Sequence, residues 1–147
     1  MPVQTFPQTW NADILPHGRG RWLILASEES SLFTLLIPAG RDRLMDSFLI
    51  PFRERMVQLL ESIRWGQPPG IPEIRFSSRT NRSVIGSQND LVSLARHCLK
   101  DTKGPASPDT LHKIEQFLNS TPMSYLDMDS PAQALAKQTS KLKGGRH

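Results

Sequence analysis

Apolar positions repeat in two different rhythms along this chain, and the change of rhythm maps its elements. Residues 10–15 alternate loosely between apolar and polar, then stop at Pro16-His17-Gly18-Arg19-Gly20, a run suited to a turn with positive φ angles. Residues 21–26 are short and apolar, as a central strand should be. Glu28-Glu29-Ser30-Ser31 predicts a second turn, and residues 32–37 a third strand closed by Pro38. Connections this short favour antiparallel neighbours, which gives a three-stranded meander.

The period then lengthens. Leu44, Phe48, Phe52, Met56, Leu59, Leu60 and Ile63 recur at intervals of three and four, forming one apolar helical stripe. Arg53, Glu54, Arg55, Gln58 and Glu61 cover the opposite side. Pro51 falls within the run, so the helix should kink there or begin near it. Gly66 to Gly70, with Pro68 and Pro69 between, ends it. Residues 71–77 read as a fourth strand, which Pro72 limits to an edge or a late start. A second helix is expected over residues 83–100, with Val84, Gln88, Leu91, Ala95, Cys98 and Leu99 near one face. Ser107-Pro108-Asp109 opens a third, with serine at the cap and proline at the first helical position. Its apolar set is Leu111, Ile114, Phe117 and Leu118; Thr121-Pro122 ends it, and residues 123–126 pack back on the body. Ser130-Pro131-Ala132 starts one more short helix.

These elements define an α+β domain over residues 1–136: a small, mainly antiparallel sheet, a meander plus a fourth strand, packed by two or three helices. At 147 residues the chain fits one such domain. The net charge of +4 changes the picture only at its end. After Ala136 come Lys137, Lys141, Lys143 and Arg146 with no acidic residue, so residues 1–136 balance to zero. Residues 137–147 are therefore expected to be a disordered basic tail, with weak, salt-sensitive attraction to polyanions. The single cysteine, Cys98, excludes an internal disulfide framework and a cysteine-rich zinc site. No charged leader precedes an apolar run at the start, and no apolar stretch nears the length of a membrane helix. The expectation is a cytoplasmic protein.

The strand-to-helix switch over residues 75–90 carries the most chemistry. Free N–H groups at the helix start would converge there with Arg75, Arg79 and Arg82, and Arg79, Asn81, Arg82, Ser83 and Asn89 form a candidate anion-binding set. The plainer alternative is a helix capped by Ser83 or Ser87 with its arginines paired elsewhere. No Gly-rich phosphate loop with a Lys-Ser/Thr pair is present. Asp13 and Asp90 are candidate bases, yet Asp13 has no second carboxylate at useful spacing. His97 and His112 lack the spacing of a metal helix, and His17 and His147 sit in a turn and a tail. No metal set or cofactor loop is read. Cys98 lies on an apolar face and reads as structural, and no G-x-S-x-G nucleophile motif occurs. Trp10, Trp22, Phe33, Phe48, Phe52 and Phe76 read as core, whereas Trp65, beside Gly66-Gln67-Pro68, is the best candidate for a partner contact.

Several fragments together resemble an uncharacterised bacterial domain family, some of whose members are plasmid-borne. Trp10-Asn11-Ala12-Asp13-Ile14 is similar to its opening W-x-A-x-[IL], and Leu32-Phe33-Thr34-Leu35-Leu36-Ile37-Pro38 to its sheet strand. Asn81-Arg82-Ser83-Val84-Ile85-Gly86-Ser87-Gln88-Asn89-Asp90 matches its most distinctive run, N-R-S-V-[IL]-G-S-x-N-[DE]. Leu118-Asn119-Ser120-Thr121-Pro122-Met123-Ser124-Tyr125-Leu126 resembles its closing element. The resemblance spans about residues 8–135, implies the α+β reading, and supplies no reaction. With no catalytic constellation visible, the leading expectation is a binding or accessory protein with a protein partner, associated with a mobile element or a toxin–antitoxin-like pair. Two alternatives stand beside it. One is nucleic-acid binding through Arg75, Arg79, Arg82 and the basic tail; the other is an enzyme acting on an anionic small molecule at the helix start of residues 81–90.

Overall fold

The computed structural model describes residues 9–16, 21–40, 44–62, 73–76, 82–100 and 107–144. Strands β1 (Thr9–Pro16), β2 (Arg21–Glu28) and β3 (Thr34–Gly40) precede helix α1 (Leu44–Ser62), strand β4 (Glu73–Phe76), and helices α2 (Arg82–Lys100), α3 (Pro108–Asn119) and α4 (Pro131–Gly144). A 3-10 turn, Ser124–Leu126, links the last two helices. The sheet runs in the order β3-β2-β1-β4. Its first three strands are the expected antiparallel meander, with Ala12 opposite Ala26 and Ile24 opposite Ile37. Strand β4 adds in parallel to β1, Trp10 facing Ile74, and begins just after Pro72, at the sheet's edge.

Because side chains alternate across a strand, the consecutive apolar residues of β2 and β3 must bury both sheet faces. On one face Trp10, Ala12, Ile24, Ala26, Leu35 and Ile37 meet Phe48, Phe52 and Met56 of α1. Trp10 and Phe52 stack edge-to-face at 5.2 Å between ring centroids, and Phe48 lies 5.2 Å from Phe52. On the other face Leu15, Leu23, Leu25 and Leu36 meet Leu91, Val92 and Ala95 of α2 and Leu111, Ile114 and Leu118 of α3. The sheet is thus the middle of three layers. Trp22 and Phe33 are only half-buried, and Phe76 lies outside the described side chains. Cys98 is a free thiol packed against the α2–α3 core, as expected.

Three boundaries differ from the sequence reading, each for a physical reason. Strand β3 starts at Thr34, two residues late, because residues 29–31 form a turn and Leu32 takes a φ of 60°. That left-handed conformation is costly for a bulky side chain. It is compensated by complete burial of Leu32 and by the buried Glu28 carboxylate, which accepts from the backbone N–H and the hydroxyl of both Ser30 and Ser31. Strand β3 also runs through Pro38 to Gly40, which an edge strand permits, since an outward proline N needs no ladder partner. Helix α1 continues through Pro51, so this proline neither starts nor ends it.

A further difference concerns the basic end. Helix α4 continues to Gly144, so Lys137, Lys141 and Lys143 lie on a helix where a disordered tail was expected. Leu135 packs on Leu60 of α1, and Thr139 is buried with its hydroxyl donated to the Leu135 carbonyl. Apolar and small residues at positions 134, 135 and 139 of the helix hold that segment to the body. No helix among the described residues is long and apolar enough to cross a membrane.

Candidate functional site

Most of the side chains singled out at the β4–α2 switch are not described. Arg79 and Asn81 precede α2, and Trp65 follows α1; all three fall in undescribed segments. Arg82 and Ser83 occupy the first positions of α2, with side chains that are not described, and Arg75 is placed only by its backbone pairing with Asn11. Asn89 and Asp90 are described and exposed. His97 and His112 are exposed as well, and no group of three metal-ligating side chains occurs among the described residues.

The structure does join the chain's first motif to the later half of its second. Gln88 of α2, buried, donates from Nε2 to the Asn11 carbonyl of β1 at 2.8 Å. Next to it the Asn11 side chain is buried, and neither its Nδ2 nor Trp10 Nε1 has a hydrogen-bond partner among the described residues. One residue further along the same face, Asp13 is half-buried; burial raises its pKa, and the charge of Arg96 on α2 opposes that rise.

A second polar seam, unforeseen, runs along the opposite edge of the sheet. Asn119 at the end of α3 clamps the backbone of Thr34: Thr34 N donates to Asn119 Oδ1 at 2.8 Å, and Asn119 Nδ2 donates to the Thr34 carbonyl at 3.0 Å. The side chain acts as a one-residue strand on the open edge of β3. Thr34, Leu36 and Pro38 share that outward direction. The Leu36 N–H faces Glu115, and Pro38 has no N–H to offer, so none of these three positions presents a free N–H to another strand.

Glu115 lies one helical turn before Asn119 and is buried beside β3. Arg55 of α1 holds it through a single nitrogen: Nη2 lies 2.6 Å from Oε1 and 2.8 Å from Oε2. Burial pushes the Glu115 carboxyl above its ordinary range, against the lowering pull of Arg55, His112 and the Leu36 N–H. The ion pair reaches around the β3 edge and ties the two helical layers together.

Between those layers opens a cleft of about 550 Å³. Its apolar part is Phe33, Leu35 and Leu59; Arg55, Gln58, His112, Glu115 and Gln116 supply polar groups, and Ala132 at the start of α4 closes one end. That volume falls within the range of small-molecule sites. Arg55 is one-third exposed, and its Nε and Nη1 donors have no partner among the described residues. The signal for this site was present in the sequence. Glu115 stands four residues after Leu111 and three before Leu118, so a carboxylate sits on an apolar stripe, with Asn119 one turn beyond it.

The fold and site together define a three-layered α+β domain with a small cleft at one sheet edge. Residues 3–134 match a domain of unknown function, DUF6933, and the chain belongs to that family. No curated protein matches it.

Proposed function

We propose that this domain is a binding module and that the cleft at the β3 edge is its working site. The observation that supports it is the state of Arg55: anchored by a buried carboxylate, one-third exposed, and donating through one nitrogen of three among the described residues. An arginine held in place from behind is pre-organised for a second acceptor. Facing it, Phe33, Leu35 and Leu59 give an apolar wall, the usual partner of a few oriented polar groups in a ligand site.

A catalytic reading draws less support from the same groups. Glu115 has a raised pKa in a cleft, which is a mark of acid–base residues. Both its oxygens, however, accept from Arg55 Nη2, which makes it an anchor for the arginine.

The test is a screen of neutral and charged fragments against the full chain, read by backbone amide chemical shifts. Binding at this site shifts the amides of Leu35, Leu59, Gln116 and Ala132. Shifts confined to α2, or to no contiguous region, would overturn the assignment.

A further inference from the structure

We infer that the cleft takes a small apolar carboxylate, with one carboxylate oxygen on an open donor of Arg55 and its hydrocarbon body against Phe33 and Leu59. The inference rests on the binding reading above and adds the ligand's chemistry. Three features carry it. First, the open groups of Arg55, Nε–H and Nη1, are donors only, so the ligand must present acceptors. A carboxylate offers acceptors only, and its charge-assisted bond to one such donor is stronger than a neutral one.

Second, charge limits the ligand to a single negative unit. Glu115 already sits on Arg55 Nη2, and among the described residues the lining holds one arginine, one carboxylate and His112. A dianionic phosphate would place two charges beside the Glu115 carboxylate with only His112 to offset them. An amine would face the arginine directly. Third, the half-buried Phe33 and Leu59 ask for a hydrocarbon body, and a purely polar acid would leave them wet.

The experiment titrates the full chain with 3-phenylpropionate, 3-phenylpropionamide, 3-phenylpropylamine and phenyl phosphate, following the cleft amides by NMR. The acid is expected to bind about tenfold more tightly than the amide, the amine and phenyl phosphate more weakly than either, because charge-assisted pairs are roughly twice as strong as neutral ones. Arg55→Lys keeps a cation for Glu115 but removes the Nε–H and Nη1 donors. It should retain the fold and bring acid and amide to equal affinity. Equal binding of acid and amide by the unaltered chain would refute the carboxylate while leaving the cleft as a binding site. Tighter binding of phenyl phosphate, or an acid preference that survives in Arg55→Lys, would also refute it. If none of the four shifts a cleft amide, the inference is overturned, and the fragment screen decides the broader reading separately.

Discussion

Two buried asparagines mark the two places where a helix lays polar groups on this sheet, and their surroundings differ. Asn119, at the β3 edge, has both ends of its amide paired with the Thr34 backbone. Asn11, under α2, has a buried Nδ2 with no partner among the described residues, although its backbone carbonyl receives Gln88. A buried polar group stabilises a fold only when it is satisfied; left unpaired it costs about 1–3 kcal/mol. The first asparagine is therefore a structural clasp, and the second a residue the fold tolerates. Arg55 is a third case. Its side chain is one-third exposed, so water can satisfy the donors that have no partner among the described residues.

The largest effect expected from this comparison is at Asn119. Asn119→Ala strands the N–H and carbonyl of Thr34, itself fully buried, and should cost about 2–4 kcal/mol in urea unfolding. It should also promote association, because Thr34 then presents a free N–H at the β3 edge. Next comes Gln88→Ala, which removes one buried hydrogen bond to Asn11 and should cost about 1–2 kcal/mol. Asn11→Ala removes its Nδ2 donor together with some packing and should cost less than about 1 kcal/mol. A loss at Asn11 equal to that at Asn119 would break the comparison.

Stability should also respond to acid. The folded carboxyls of Glu115 and Asp13 hold their protons to higher pH than the same groups in the unfolded chain. Their contribution is fully present below the unfolded pKa and is lost as pH rises through the raised folded value. Glu115→Gln should flatten the Glu115 part of that slope when unfolding free energy is measured across the acid range. The smallest effect is expected at the surface. Lys137 pairs with Asp129 at 2.6 Å but is largely exposed, so Lys137→Ala should change stability by less than about 0.5 kcal/mol.

How much of this was legible in the sequence depends on the kind of signal each region carries. The meander could be read from alternation and turns, and the start of α3 from Ser107-Pro108, whose serine Oγ does accept from Thr110 N. Helix α4 was cut short because Lys137, Lys141 and Lys143 read as a solvated run, while the small contacts of Leu135 and Thr139 give only a weak periodic signal. The cleft escaped because its residues are 60 apart in sequence and meet only around the β3 edge. Charge on the outer side of α1 is ordinary; what matters is that Arg55 finds a carboxylate placed on the apolar stripe of α3. The anion set at the start of α2 drew attention by local crowding, and Arg79, Asn81 and the side chains of Arg82 and Ser83 lie outside the described residues.

The most direct test of the central claim is proton exchange in one NMR sample of the full chain, comparing the Thr34 amide with the Arg55 side-chain Nε–H. Thr34 should exchange as slowly as amides bonded between β2 and β3, because Asn119 holds its N–H. Arg55 Nε–H should exchange rapidly alone and slow on addition of 3-phenylpropionate. A rapidly exchanging Thr34, or an Arg55 Nε–H already protected without ligand, would contradict the distinction between a clasped Thr34 and an open arginine on which the site rests.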